Sequence, residues 1–127
     1  MNCTVELTDE YGMNGQEALK ITATNSGGIW VRWVQNCAFE NSLMLTETVQ
    51  VKCINCRTTF HLQNNFKELV NNKSYSAVSV DSSNDYEGEL AVSLIFDSNS
   101  KQIQGQINMY DFDVGSVIYL TNLNVSP

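Results

Sequence analysis

The chain lacks most of what recognisable catalytic and nucleic-acid-binding proteins need. Its single proline is at position 127, so no interior strand is excluded by a missing N–H. Its single histidine is His61, so any Ser-His-Asp or Cys-His centre would have to be built around one imidazole. Basic residues are scarce: seven Lys and Arg stand against 14 Asp and Glu, a formal charge of −7. A field of that sign repels the phosphate backbone, and no nucleic-acid partner is expected. No apolar run approaches the ~18 to 20 residues that cross a bilayer, and no basic-plus-apolar leader opens the chain, so no integral membrane segment is expected. A G-x-S-x-G elbow, a phosphate loop and a G-x-G-x-x-G fingerprint are missing. With them go the usual sequence signs of hydrolase, kinase and dehydrogenase chemistry.

What the sequence does contain is β pattern. The 127 residues are 43% hydrophobic, enough for one domain, 1–127, with its own core. Short runs of β-branched and aromatic residues alternate with period two, each ended by Gly, Asn, Asp or Ser. The runs are Cys3 to Thr8, Ala18 to Thr24, Gly28 to Gln35, Thr46 to Cys53, Arg57 to Gln63, Ser74 to Val80, Glu89 to Asp97, Lys101 to Tyr110 and Ser116 to Val125. Asn25-Ser26-Gly27-Gly28 and Asp97-Ser98-Asn99-Ser100 read as turns between them. The run Ile103, Gly105, Ile107, Met109 against Gln102, Gln104, Gln106, Asn108 is the cleanest half-buried strand. Gly28 to Gln35 puts Trp33 on one face and Trp30 on the other, so one indole is expected near the surface. Residues Asn65 to Val70 have a spacing that suits a turn or two of helix. The expected fold is all-β: an antiparallel sandwich, Ig-like or jelly-roll-like, with about nine strands and at most one short helix.

Four cysteines, Cys3, Cys37, Cys53 and Cys56, form an even set. Disulfide bonding is the favoured reading, with Cys3 or Cys37 joined to one of the close pair, because a Cys53–Cys56 bridge closes only a tight local loop. Asn2-Cys3-Thr4 and Asn72-Lys73-Ser74 fit the N-glycosylation pattern. Such tripeptides arise by chance in a chain this rich in Asn, Ser and Thr, so it is the even cysteine set that favours a secreted protein or one on a cell or virion surface, with a cytosolic site as the alternative. Cys53-Ile54-Asn55-Cys56 followed by His61 resembles the first three ligands of a retroviral-type zinc knuckle over nine residues. That resemblance implies zinc bound by Cys53, Cys56 and His61, but the fourth knuckle ligand would fall on Phe66, so Cys37 or Cys3 would have to complete the site.

Acidic residues cluster at Asp81, Asp85, Glu87 and Glu89, and again at Asp111 and Asp113. Oxygen ligands in such loops can hold Ca²⁺, although solvated acidic turns are the ordinary case. No cofactor is expected, with Ca²⁺ and zinc as minor alternatives. The chain has more to offer for recognition. Trp30, Tyr86, Tyr110 and Phe112 lie in or beside loop-bounded strands, near Asp111 and Asp113. Such rings stack on sugar faces or anchor protein interfaces while Asn and Asp supply hydrogen bonds. The reading that follows is a non-enzymatic module binding a glycan or a protein through Trp30, Tyr86, Tyr110, Asp111, Phe112 and Asp113. Two alternatives compete with it: a small acidic cytosolic inhibitor, such as a phage anti-defence or immunity protein that blocks a basic site, and a membrane-active β-sandwich.

Overall fold

The computed structural model describes residues 2–9, 17–36, 44–69, 75–95 and 102–126. They form nine strands: β1 (Cys3–Thr8), β2 (Ala18–Ala23), β3 (Ile29–Asn36), β4 (Met44–Ile54), β5 (Phe60–Glu68), β6 (Tyr75–Ser82), β7 (Tyr86–Ile95), β8 (Gln102–Tyr110) and β9 (Val117–Ser126). The strands lie in two antiparallel sheets, one ordered β1-β2-β9-β4-β7 and the other β3-β8-β5-β6. With β1 set aside as an added edge strand, this interleaving of the two sheets is that of a jelly roll. The sandwich is therefore jelly-roll-like and not Ig-like.

Period-two alternation sets which side chains fill the space between the sheets. In β4 the residues from Leu45 to Cys53 at every second position are buried, and in β8 Ile103, Ile107 and Met109 are buried opposite them. Phe60, Leu62 and Phe66 of β5 complete the filling, all between 0% and 1% exposed. Each fully buried side chain of this size contributes about 1.5 to 3 kcal/mol relative to an exposed one. Trp33 goes inward too, directly opposite Gly105 in the β3–β8 register, and its indole lies where a side chain at Gly105 would be. A methyl group there would overlap the indole, so the glycine is a notch that lets a tryptophan into a thin core.

The expected turn of helix from Asn65 does not form over the described residues. The strand β5 continues to Glu68 and keeps its alternation, with Asn65 and Lys67 on the outer face. The physical reason lies in two polar residues, Asn64 and Glu68, which point inward at positions where an apolar residue would have declared the strand; both are buried, at 0% and 1%. Val70 lies outside the described residues. Residues 57–59, expected as strand, form instead the loop between β4 and β5.

The core buries polar groups at a cost, the Trp33 indole N–H among them. Glu47 on β4 and Asn64 on β5 are both fully buried, and neither side chain has a hydrogen bond among the described residues. Burial pushes the Glu47 carboxyl up to about 7, a rise that Asn64 moderates without reaching ordinary hydrogen-bond geometry.

Candidate functional site

The outer face of the β3-β8-β5-β6 sheet is where polar side chains gather. Registers fix them in rows across the strands. His61 is paired with Asp81 on one side and Tyr110 on the other. In the next row Gln63 pairs with Asn108, and Asn108 with Trp30. Then Asn65 pairs with Gln106, and Gln106 with Arg32; finally Lys67 pairs with Gln104, and Gln104 with Val34. Directly opposed side chains on one face lie about 4.5 to 5.5 Å apart at Cβ, close enough to hydrogen-bond when both are amides.

They do hydrogen-bond. Arg32 Nε donates to Gln106 Oε1 at 2.9 Å, Gln106 Nε2 donates to Asn108 Oδ1 at 2.6 Å, and Asn108 Nδ2 donates to Gln63 Oε1 at 3.3 Å. Asn65 Nδ2 donates to the same Gln63 oxygen at 3.2 Å and to the Gln106 carbonyl at 3.4 Å. Asn65 and Asn108 form the floor, 8% exposed each. Gln63, Asn65, Lys67, Gln104, Gln106 and Asn108 line a depression of about 210 Å³. Beyond these bonds Gln106 and Asn108 each have a second amide N–H and Gln63 has both of its own, so among the described residues the array is fixed and still has donors to offer.

Rings close one end of this face. Trp30 is 58% exposed, and its Nε1 donates to the Tyr110 hydroxyl at 3.1 Å, the two rings meeting edge to face at 6.3 Å. The His61 ring stacks on Tyr110 from the other side at 6.0 Å, and its Nδ1 meets Asp81 Oδ1. Gly28 sits under the pair: a methyl there would fall 3.1 Å from the Trp30 ring and 3.3 Å from Tyr110, so both rings lie against bare backbone.

The residues singled out from sequence do not all come together. Trp30 and Tyr110 share the outer face just described. Phe112 is 3% exposed and stacks on Phe60 at 4.4 Å; its ring belongs to the core and has no face to present. Asp113 holds the loop between β4 and β5: its carboxylate accepts from the N–H groups of Arg57 at 2.8 Å and Thr58 at 2.9 Å, and from the Thr58 hydroxyl at 3.0 Å. Those bonds, the Arg57 N–H first, hold its carboxyl below the usual range. Asp111 is exposed with φ 63°, the left-handed turn after β8, and its carbonyl accepts from Thr58. Tyr86 lies on β7 in the other sheet, where with Lys52 and Asp85 it borders a separate shallow hollow.

The sulfur residues require two corrections. Cys3, Cys53 and Cys56 are free thiols, so the expected disulfides involving any two of these three do not exist; Cys37 lies outside the described residues. Cys53 and Cys56 are buried among core side chains, and burial raises the pKa of both thiols. The zinc grouping does not assemble from Cys53, Cys56 and His61, because His61 is on the outer face of the opposite sheet beside Asp81. Among the described residues no three His, Cys, Asp or Glu side chains come close enough to hold a metal ion.

Sequence reasoning missed Gln63, Asn65, Gln106, Asn108, Arg32 and Lys67. The alternation Gln104, Gln106, Asn108 is visible in the sequence as the polar side of a half-buried strand, but nothing within one strand shows that Gln63 and Asn65 lie beside it.

No family model matches the sequence, and no curated protein matches it. Solved structures with the same fold do match. One is described as "Structural basis for the promiscuous specificity of the carbohydrate-binding modules from the beta-sandwich super family": TM-score 0.70, 16% identity, covering 100% of this chain and 55% of that one. This chain thus spans little more than half the length of that protein. Another is TmCBM61 in complex with β-1,4-galactotriose, with TM-score 0.68 and 8% identity over 96% of this chain and 81% of that one. A third is an exo-β-agarase, with TM-score 0.71 and 8% identity over 100% of this chain and 22% of that one. At such identities the shared property is the β-sandwich fold.

Proposed function

We propose that the chain is a non-catalytic glycan-binding module whose site is the outer face of β3-β8-β5-β6. The observation that carries this reading is the amide array closed at one end by the Trp30 and Tyr110 rings. Sugars present hydroxyl groups that both donate and accept, around a ring whose C–H faces are apolar. Amides with spare donors and acceptors match the first feature, and an exposed indole matches the second. Because Gln106, Asn108, Gln63 and Asn65 already constrain one another, little side-chain entropy remains to be lost on binding. The fold likeness to carbohydrate-binding modules, one of them in complex with β-1,4-galactotriose, supports the reading independently of the side chains.

Of the residues named from sequence, Trp30 and Tyr110 belong to this proposed site. Tyr86, Asp111, Phe112 and Asp113 are left out for the structural reasons given above. A glycan polymer as ligand favours action outside the cell or on its surface.

The test is a glycan array probed with the chain and with a Trp30→Ala/Gln106→Ala variant of equal thermal stability. Binding to one structural class of glycan, lost in the variant, is the expected result. Equal binding by both proteins, or none by either, contradicts the reading.

A further inference from the structure

The proposed glycan face differs in charge from the molecule that carries it, and the inference rests on that face being the glycan site. The chain as a whole is acidic at −7 and has seven basic residues in all. Two of them, Arg32 and Lys67, stand on the outer face of β3-β8-β5-β6, in adjacent rows of the register, one at Gln106 and the other at Gln104. Neither has a carboxylate within ion-pairing distance among the described residues, whereas Lys20 on the opposite sheet is paired with Glu6 at 3.7 Å. The carboxylate on the described strands of this face is Asp81, two rows or more away and already engaged by His61. Glu87 and Glu89 project from β7 in the other sheet.

Screening decides which charge a ligand feels. At physiological salt, charges more than about 8 Å apart are largely hidden from one another, so a ligand on this face meets Arg32 and Lys67 rather than the net −7. Arg32 is also held in place: its Nε donates to Gln106 Oε1, which leaves the far side of the guanidinium free to fork onto an anion. Lys67 lines the 210 Å³ depression, so its ammonium borders the same space as the amides.

We infer that the face selects polysaccharides bearing anionic groups, carboxylate or sulfate ester, with the anions at the Arg32 and Lys67 rows and a sugar ring against Trp30. The rows order the ligand: apolar stacking at the His61–Tyr110 and Trp30 rows, then charge at the Arg32 and Lys67 rows, with the amides recognising hydroxyl groups alongside.

The test compares three polysaccharides by affinity electrophoresis and titration: polygalacturonate, a sulfated galactan and a neutral β-1,4-galactan. The chain is expected to bind at least one anionic polymer more tightly than the neutral one, and to lose affinity as salt rises from about 0.05 to 0.5 M. Which anionic polymer binds tells carboxylate from sulfate. Arg32→Gln and Lys67→Gln should each weaken that binding about fivefold or more. Lys52→Gln, which removes the same charge from the other sheet, should leave it unchanged. Salt-independent binding of the neutral galactan with no preference for either anionic polymer overturns the charge selection and leaves the glycan reading standing. Equal losses in the Lys52 variant also overturn it, since net charge alone would then explain the effect. Absence of binding to all three and to a glycan array overturns both.

Discussion

Trp30 and Tyr110 are 80 residues apart in the chain, yet the indole N–H of one donates to the hydroxyl of the other at 3.1 Å, and their rings meet at 78°. The bond spans β3 and the end of β8 and fixes the exposed indole on the face where the amides lie. If that indole is a platform for a sugar ring, its orientation matters as well as its presence. Trp30→Ala should weaken glycan binding by on the order of 2 kcal/mol, about thirtyfold. Tyr110→Phe removes only the acceptor and should cost about 1 kcal/mol in binding, without a change in melting temperature. Titration calorimetry beside thermal melts separates the two effects.

Gly105 and Trp33 make an independent prediction about stability. A methyl group at Gly105 has no room while Trp33 occupies the notch. Gly105→Ala should destabilise the fold by about 1 to 3 kcal/mol in denaturant titrations, the usual cost of overpacking a tight core. The paired variant Gly105→Ala/Trp33→Leu should recover part of the loss. Equal stability of Gly105→Ala and the parent would mean that the indole is not held there.

Glu47 links stability to pH. Its carboxyl is raised from 4.5 to about 7 by burial, so the folded chain binds more protons than the unfolded chain between those values. Stability therefore falls as pH rises through that window, by about 3 kcal/mol at most, and this contribution is constant above it. Glu47→Gln keeps the size and removes the charge. Relative to the parent it should gain stability from pH 5 to about pH 7 and level off by pH 8, measured as the difference in unfolding free energy, and a difference that is constant across this range would contradict the assignment.

The thiols yield a chemical prediction. Cys53 and Cys56 are buried, and their raised pKa values disfavour the reactive thiolate. In the folded chain both should resist an alkylating reagent at pH 8. In denaturant without reductant, Cys3, Cys53 and Cys56 should all be alkylated, read by peptide mass spectrometry. Protection of any two of these three in denaturant would signal a disulfide between them.

Much of the fold was legible in the sequence, because a half-buried strand writes its two faces directly into alternate residues. The strand β8 is the clearest case, with Ile103, Ile107 and Met109 inside and Gln104, Gln106 and Asn108 outside. The strand β5 is not legible past Gln63, because Asn64 and Glu68 are polar residues in core positions, where alternation carries no signal. The choice between Trp30 and Trp33 as the exposed indole also turned on a partner strand: only the cross-strand glycine at 105 makes space for one of them. The candidate site was the least legible part. It is a property of rows that run across β3, β8, β5 and β6, and its members stand up to about eighty positions apart. Phe112 and Asp113 looked like site residues for the same reason, since a loop aromatic beside an aspartate reads alike whether it faces solvent, packs on Phe60 or caps a neighbouring loop.

The most direct test of the whole account is to map a bound oligosaccharide onto the backbone by amide chemical-shift perturbation, using fragments of whichever polysaccharide the chain retains. The account predicts that the largest shifts fall on Gln63, Asn65, Gln104, Gln106 and Asn108, with the Trp30 indole resonance moving alongside them. Shifts concentrated instead around Asp85, Tyr86 and Glu87, or on the outer face of β1-β2-β9-β4-β7, would contradict it.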